Sequence, residues 1–262
     1  MPAVAVTAFR GSALFGTTPT RFSISNKALT TNLATLTTSA AHGITAVGTL
    51  VTVQGVDSVL DGTYTIHSIP STTTFTYARV NANITSVAVS PVGIATFSSA
   101  MATGLVVTNK VVQNFIATLT TAAHGLTVGD LVAVTIGDTV YDSLQVRVMA
   151  VPSATTFCFI VATQTAATTA VTQGSFGRFP AAYTSPAATT EVTSNIAIAN
   201  PSSAAGTFTI SVNRIILHGE TLLAANTTAY IDLKQPIATA QTVVIAASVS
   251  QITMHISGVE IS

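Results

Sequence analysis

Leu33-Ala34-Thr35-Leu36-Thr37-Thr38-Ser39-Ala40-Ala41-His42-Gly43-Ile44-Thr45 returns later in the chain as Ile116-Ala117-Thr118-Leu119-Thr120-Thr121-Ala122-Ala123-His124-Gly125-Leu126-Thr127, with Ser39 as one inserted residue. Past a second extra residue, Ala46, the run Val47-Gly48-Thr49-Leu50-Val51-Thr52-Val53 aligns with Val128-Gly129-Asp130-Leu131-Val132-Ala133-Val134. Asp57 and Asp61 then match Asp138 and Asp142. The closing segments also agree, Ile69-Pro70-Ser71-Thr72-Thr73-Thr74-Phe75 against Val151-Pro152-Ser153-Ala154-Thr155-Thr156-Phe157. His42 and His124 are 82 residues apart, as are Phe75 and Phe157. An offset sustained through separate segments marks a duplication rather than a likeness of composition.

Each copy reads as four or five short strands, because β-branched runs with period-two alternation are broken by Gly, Pro, Asp and Ser. Tyr64 and Ile66 are expected on one face, as are Phe75 and Tyr77, with Thr63, Thr65, Thr74 and Thr76 on the other. A module of this size buries too little surface to be very stable alone, so the copies are expected to pack together or against neighbouring subunits. The intervening segment, about 81–114, supplies further strands or a connector.

Beyond Phe179-Pro180-Ala181-Ala182-Tyr183-Thr184-Ser185-Pro186, which reads as a linker, alternation returns. Ile196 and Ile198, then Phe208, Ile210 and Val212, then Ile231 and Leu233 alternate with polar or small residues. Ile252, Met254 and Ile256 share one phase while Val259 and Ile261 take the other, and a β-bulge at Gly258 would return both sets to the core. The expected fold is therefore all-β: two tandem small antiparallel barrel or sandwich modules plus a C-terminal jelly-roll-like sandwich, with a closed barrel as the alternative for that last part. The expected divisions are an N-terminal arm over 1–30, the first module with its connector over 31–112, the second over 113–180, and the C-terminal domain over 187–262. The arm is read as lying on an adjacent subunit or as an edge strand plus loop.

Charged residues make up 7% of the chain and hydrophobic ones 48%, where an ordinary soluble domain has about 25% charged. So few charges suit a surface covered by like subunits or neighbours, since buried interfaces are depleted of them. The formal net charge is zero with no basic stripe, so nucleic-acid binding is not expected. No stretch approaches the ~20 apolar residues of a membrane-spanning helix, so membrane insertion is not expected either. The single cysteine, Cys158, lies in an apolar run and reads as a small buried hydrophobe.

The repeated His42 and His124 invite a metal or proton-transfer reading, yet neither copy places a Cys, Glu or second His nearby. They read instead as structural turns, with Gly43 and Gly125 taking positive φ and the ring bonding backbone across the turn. Asp57, Asp61, Asp138 and Asp142 read as contact loops; calcium needs about six to eight oxygens, and no EF-hand pattern follows. Paired carboxylates also serve glycosidases, but the chain has no Trp to form a sugar platform. His218, Glu220 and Asp232 fall near Ser202 and Ser211 without a nucleophile elbow. No catalytic residue, cofactor site or metal site is expected.

The phrase Ala-Thr-Leu-Thr-Thr-Ala-Ala-His-Gly-Leu-Thr-Val-Gly-Asp-Leu-Val-Ala-Val over 117–134, closing with Val151 to Phe157, resembles a module of virion proteins of tailed bacteriophages. Met254-His255-Ile256-Ser257-Gly258-Val259-Glu260-Ile261 is similar to C-terminal β-domains of small phage structural proteins. The first module departs from the pattern at Thr49, and the second at Ser143-Leu144-Gln145. The resemblance implies a virion location and an assembly or attachment role on tail, neck or capsid surface. Its implied partners are further copies of the chain, other virion proteins and, for an adsorption protein, a host-surface glycan.

Overall fold

The computed structural model describes residues 6–14, 20–97, 101, 103–186 and 190–261. Every described element is a β-strand, and every described pairing is antiparallel. Two compact units part between Phe179 and Pro180: one takes 19–179, and the other joins the N-terminal strand to 180–262.

The first unit holds both copies, and each begins earlier than the expected limits. Thr20–Thr30 is a central strand of the first module, and Thr103–Gln113 is its counterpart in the second. The first module is a seven-stranded sheet, with Gly62–Thr65, Leu50–Gln54 and Ile84–Phe97 on one side of Thr20–Thr30. On its other side lie Leu33–Thr38, Thr74–Ala78 and Ser68–Ser71. The second repeats this order, but the counterpart of Ile84–Phe97 is split into Thr165–Ala170 and Ser175–Arg178. The strands Ile84–Phe97 and Thr103–Gln113, between the repeated motifs, are thus core sheet.

Each module opens with a two-residue hairpin, Thr31-Asn32 and Asn114-Phe115, in which both residues have positive φ. That geometry matches the right-handed twist of the flanking strands. Inside, Leu36, Val51, Val53, Phe75 and Tyr77 form the first core, and Leu119, Val132, Val134, Phe157 and Phe159 the second. Tyr64 and Tyr77 stack at 4.2 Å between ring centroids. Thr65 and Thr76, expected on a solvated face, are buried as well.

The second unit is an eight-stranded sandwich. One sheet runs Val6–Leu14, Thr253–Ile261, Thr190–Asn200, Thr227–Ile237; the other runs Ala181–Thr184, Thr242–Ala247, Gly206–Val212, Ile215–Leu223. Taken in chain order as strands one to eight, the sheets read 1-8-3-6 and 2-7-4-5, which is jelly-roll order. The strand expected within an arm is therefore an edge strand of the sandwich, and the duplicated modules are inserted between its first and second strands. The presumed linker contains the second strand. Ala187, where a separate domain was expected to begin, lies outside the described residues.

No bulge lies at Gly258, since Val6–Leu14 pairs with Thr253–Ile261 without interruption. The extra residue is Ser194 on the neighbouring strand, where Thr193 faces Gly258 and Asn195 faces Ser257. Gly258 itself continues the buried phase of Ile252, Met254 and Ile256. The Thr193 hydroxyl donates toward the carbonyls of Leu233 and Gln235, each at 3.0 Å, and so fills the irregularity.

Candidate functional site

Ala41-His42-Gly43 and the Ser71–Phe75 segment recur together because they form one latch. His42 is buried; its Nδ1 accepts the Ile44 N–H at 3.0 Å, and Nε2 faces the Ser71 and Thr74 carbonyls at 3.2 and 3.4 Å. An acceptor at Nδ1 and carbonyls at Nε2 select the neutral ring protonated at Nε2. His42 also donates its backbone N–H to Thr72 O, and its ring stands edge-on to Phe75. His124 repeats the Nδ1 bond to Leu126 N–H and the edge contact with Phe157, but its Nε2 has no hydrogen-bond partner among the described residues. Gly43 and Gly125 have φ of 67° and 59° and lie in open space. The arrangement ties a loop to a hairpin and leaves no ring nitrogen facing solvent.

The Asp side chains of the loops are likewise engaged within their own modules. Asp61 accepts the N–H groups of Gly55, Val56 and Asp57 at 2.9, 2.9 and 3.2 Å. Asp57 caps Val59 N–H and receives Lys27 Nζ at 2.6 Å. In the second module Asp142 accepts Ile136 N–H at 2.6 Å, and Asp138 caps Val140 N–H and receives Lys110 Nζ at 2.5 Å. The Lys27 hydrogen bond, with that of Val59 N–H, holds Asp57 below its ordinary value. Desolvation pushes Asp142 up to about 6 despite the Ile136 bond. Lys27 and Lys110 are part of the repeat, at the offset of 83 that Leu33 and Ile116 share, but escape the sequence comparison because they lie upstream of the obvious match.

The two modules meet at a joint that sequence reading did not locate. Gly104 and Gly177 face one another across paired strands, and the Val47-Gly48 turn of the first module enters the dent they leave. A Cβ on either glycine would overlap the turn's backbone carbonyls. Thr65 N–H donates to the Thr135 hydroxyl at 3.1 Å, and the Ser175 hydroxyl donates toward Thr65 Oγ1 and Ile66 O at 2.8 and 2.9 Å. His67 Nδ1 accepts Gly174 N–H at 2.9 Å. A cleft of about 100 Å³ beside the joint is bordered by Tyr64, Arg79 and Asp142, well under the roughly 300–1,000 Å³ of small-molecule sites.

In the jelly-roll unit, Glu191 is buried, accepts the Tyr183 hydroxyl and stands opposite Glu260 in register. Burial first, then the Glu191 bond, raises the Tyr183 phenol. The Ser202 hydroxyl is engaged with Asn200 Oδ1 and Ala204 O, a turn-stabilising pattern. Cys158 is buried with Thr118 Oγ1 at 3.3 Å. Among the described residues no group of three or more His, Cys, Asp or Glu side chains is placed to hold a metal ion, and no helix is long and apolar enough to cross a membrane. No protein-family model matches the chain, and no curated protein matches it.

Proposed function

We propose that the protein is a structural component of a bacteriophage particle, a tail, neck or capsid-surface decoration protein that acts through oligomeric assembly. The observation that carries this reading is the eight-stranded jelly roll whose first connection holds the duplicated modules. Jelly rolls build viral capsid domains, and an inserted pair of modules suits a protein that contacts neighbours. The support is analogy of architecture, joined to the sequence resemblance and to the scarcity of charge. In this reading the protein works mechanically and catalyses no reaction; its repeated polar side chains are spent on internal turns. Antibody against the chain is expected to decorate purified phage particles in electron micrographs. Recovery of the protein only from the soluble fraction of infected cells, with bare particles, overturns the assignment.

A second reading is an adsorption protein that binds a host-surface glycan, favoured by the use of jelly rolls as lectin domains. Its contacts would be backbone and hydroxyl groups of the 57–62 and 137–143 loops, because the loop carboxylates are already bonded to backbone N–H groups and to Lys27 and Lys110. Shortening those loops should then abolish cell binding while particles stay intact; unchanged adsorption rules it out.

A further inference from the structure

The joint between the modules is made by unlike faces. The first module contributes its Val47-Gly48 turn, the Thr65-Ile66-His67 corner and Ala78; the second contributes Gly104, Gly137 and the segment Gly174 to Gly177. Since the modules are copies, the second also owns a counterpart of the face that the first has already used. That face carries Phe115, Ile116, Val128, Met149 and Ile160, which are 47, 40, 50, 40 and 67% exposed. The corresponding residues of the first module are Asn32, Leu33, Val47, His67 and Ala78. The exposed face is therefore more apolar than the partnered one, the reverse of what solvent exposure alone would favour.

Phe115 adds an independent mark. It holds φ of +65° at the place where Asn32 holds +63°. Asn visits this region readily, whereas a bulky residue there costs about 1–2 kcal/mol. Phe115 is nonetheless 47% exposed, and a contact outside the unit would account for a strained backbone that leaves an apolar group half in solvent.

The existing joint also defines what fits. A partner must offer a dent to the Val128-Gly129 turn, as Gly104 and Gly177 do for Val47-Gly48. It must also offer hydroxyls to Arg147 N–H and Val148 C=O, as Thr135 and Ser175 do for Thr65 and Ile66. A second copy of this chain has no such dent to spare. The second module's dent is filled, and the first module carries Arg21 paired with Thr96 at the matching positions.

We propose that the Phe115–Ile160 face of the second module docks a β-module of the same kind on a different chain, with glycines where this chain has Gly104 and Gly177. The inference continues an interface already present within the molecule and does not rest on the particle assignment. A glycine dent, not apolar area alone, is what it requires.

The probe is the full chain with Arg21→Gly, Gln54→Thr, Ile94→Ser and Thr96→Gly, which gives the first module the two facing glycines and the two hydroxyls that the second offers at the joint. A face that seeks such a dent then joins chains head to tail, a contact that does not close on itself. Sedimentation velocity is expected to show species that grow with concentration beyond those of the unmodified chain. Adding Met149→Asp and Ile160→Asp should return the variant to the unmodified pattern. Should the fourfold variant lose its cooperative melt, Arg21→Gly with Thr96→Gly alone is expected to shift sedimentation the same way, more weakly. A folded variant that sediments like the unmodified chain at every concentration overturns the proposal, as does association that survives the two aspartates. Self-association of the unmodified chain that the aspartates abolish overturns it too, since the face would then be met by a second copy without a dent.

Discussion

Lys27 Nζ lies 2.6 Å from Asp57 Oδ2 and 3.1 Å from Val56 O, and Lys110 makes the same ion pair with Asp138 in the second copy. Each lysine crosses from the central strand of its module to the long loop on another edge, so it fixes the loop rather than a surface charge balance. Because the ammonium also satisfies a backbone carbonyl, Lys27→Met is expected to cost about 1–2 kcal/mol in urea unfolding, above the usual exposed pair. The Asp57 carboxyl is held low by Lys27, so its contribution is present above the ordinary carboxylate range and lost as pH falls through the folded-state value. An acid limb of the stability profile that is the same in Lys27→Met as in the natural chain would contradict this.

His42 and His124 differ in one bond, and their substitutions should differ accordingly. His42→Ala removes the Ile44 N–H acceptor and the contact to Ser71 O, leaving buried groups unpaired at about 1–3 kcal/mol. His124→Ala removes one bond and the edge contacts with Phe157 and Phe176, which His42 matches with Phe22 and Phe75, and is expected to cost about half as much. Thermal melts of the two variants, each compared with the natural chain, test the order. Equal losses would assign the effect to ring packing.

Glycines at the joint and at the latch should respond in opposite degree. Gly125→Ala meets open space and bears only the left-handed backbone cost, about 1–2 kcal/mol. Gly104→Ala drives a methyl into the Val47 carbonyl, which is backbone and cannot swing aside. A loss of about 3 kcal/mol or more is expected, with a second, separate transition as the modules uncouple. Calorimetry that shows a single transition and a small loss for Gly104→Ala would mean that the joint can open without cost to either module.

The duplication and the strand alternation were legible because both are local: Phe75 and Tyr77 declare their face by sequence alone. The jelly roll was only half legible. Its first strand, Val6–Leu14, pairs with Thr253–Ile261 at the far end of the sequence, and alternation carries no information about a partner that distant. Thr65 misled for a related reason. Its polarity suits solvent, yet the Thr135 and Ser175 hydroxyls of the other module cover it. The irregularity in the last strand was visible as a change of phase, but its location on Ser194 depends on the neighbour. The latch histidines stand out in the sequence by their spacing, and both lie in loops between strands, whereas the Lys27–Asp57 pair needs the fold, because nothing in an isolated lysine names the carboxylate it reaches.

Asp142 gives a pH dependence opposite in sign to that of Asp57. Its carboxyl is tucked beneath Ile136 N–H, and desolvation pushes it up to about 6. The folded chain therefore keeps a proton that the unfolded chain releases near 3.8. Between those values the folded state binds more protons, so stability falls as pH rises from about 4 to about 6 and levels off above that range. A shift of this size would correspond to about 3 kcal/mol for a fully buried group. Asp142 is exposed to solvent, and screening reduces the expected effect to about 1 kcal/mol or less. Asp142→Asn retains an oxygen for the Ile136 N–H and removes the titration, so its urea midpoint should stay flat from pH 4 to 6 while that of the natural chain declines. An identical decline in both proteins would show that the carboxyl does not titrate in this window. Lys110→Met tests the neighbouring group: it disturbs Asp138 and should leave the decline between pH 4 and 6 in place, since the Asp142 shift arises chiefly from burial.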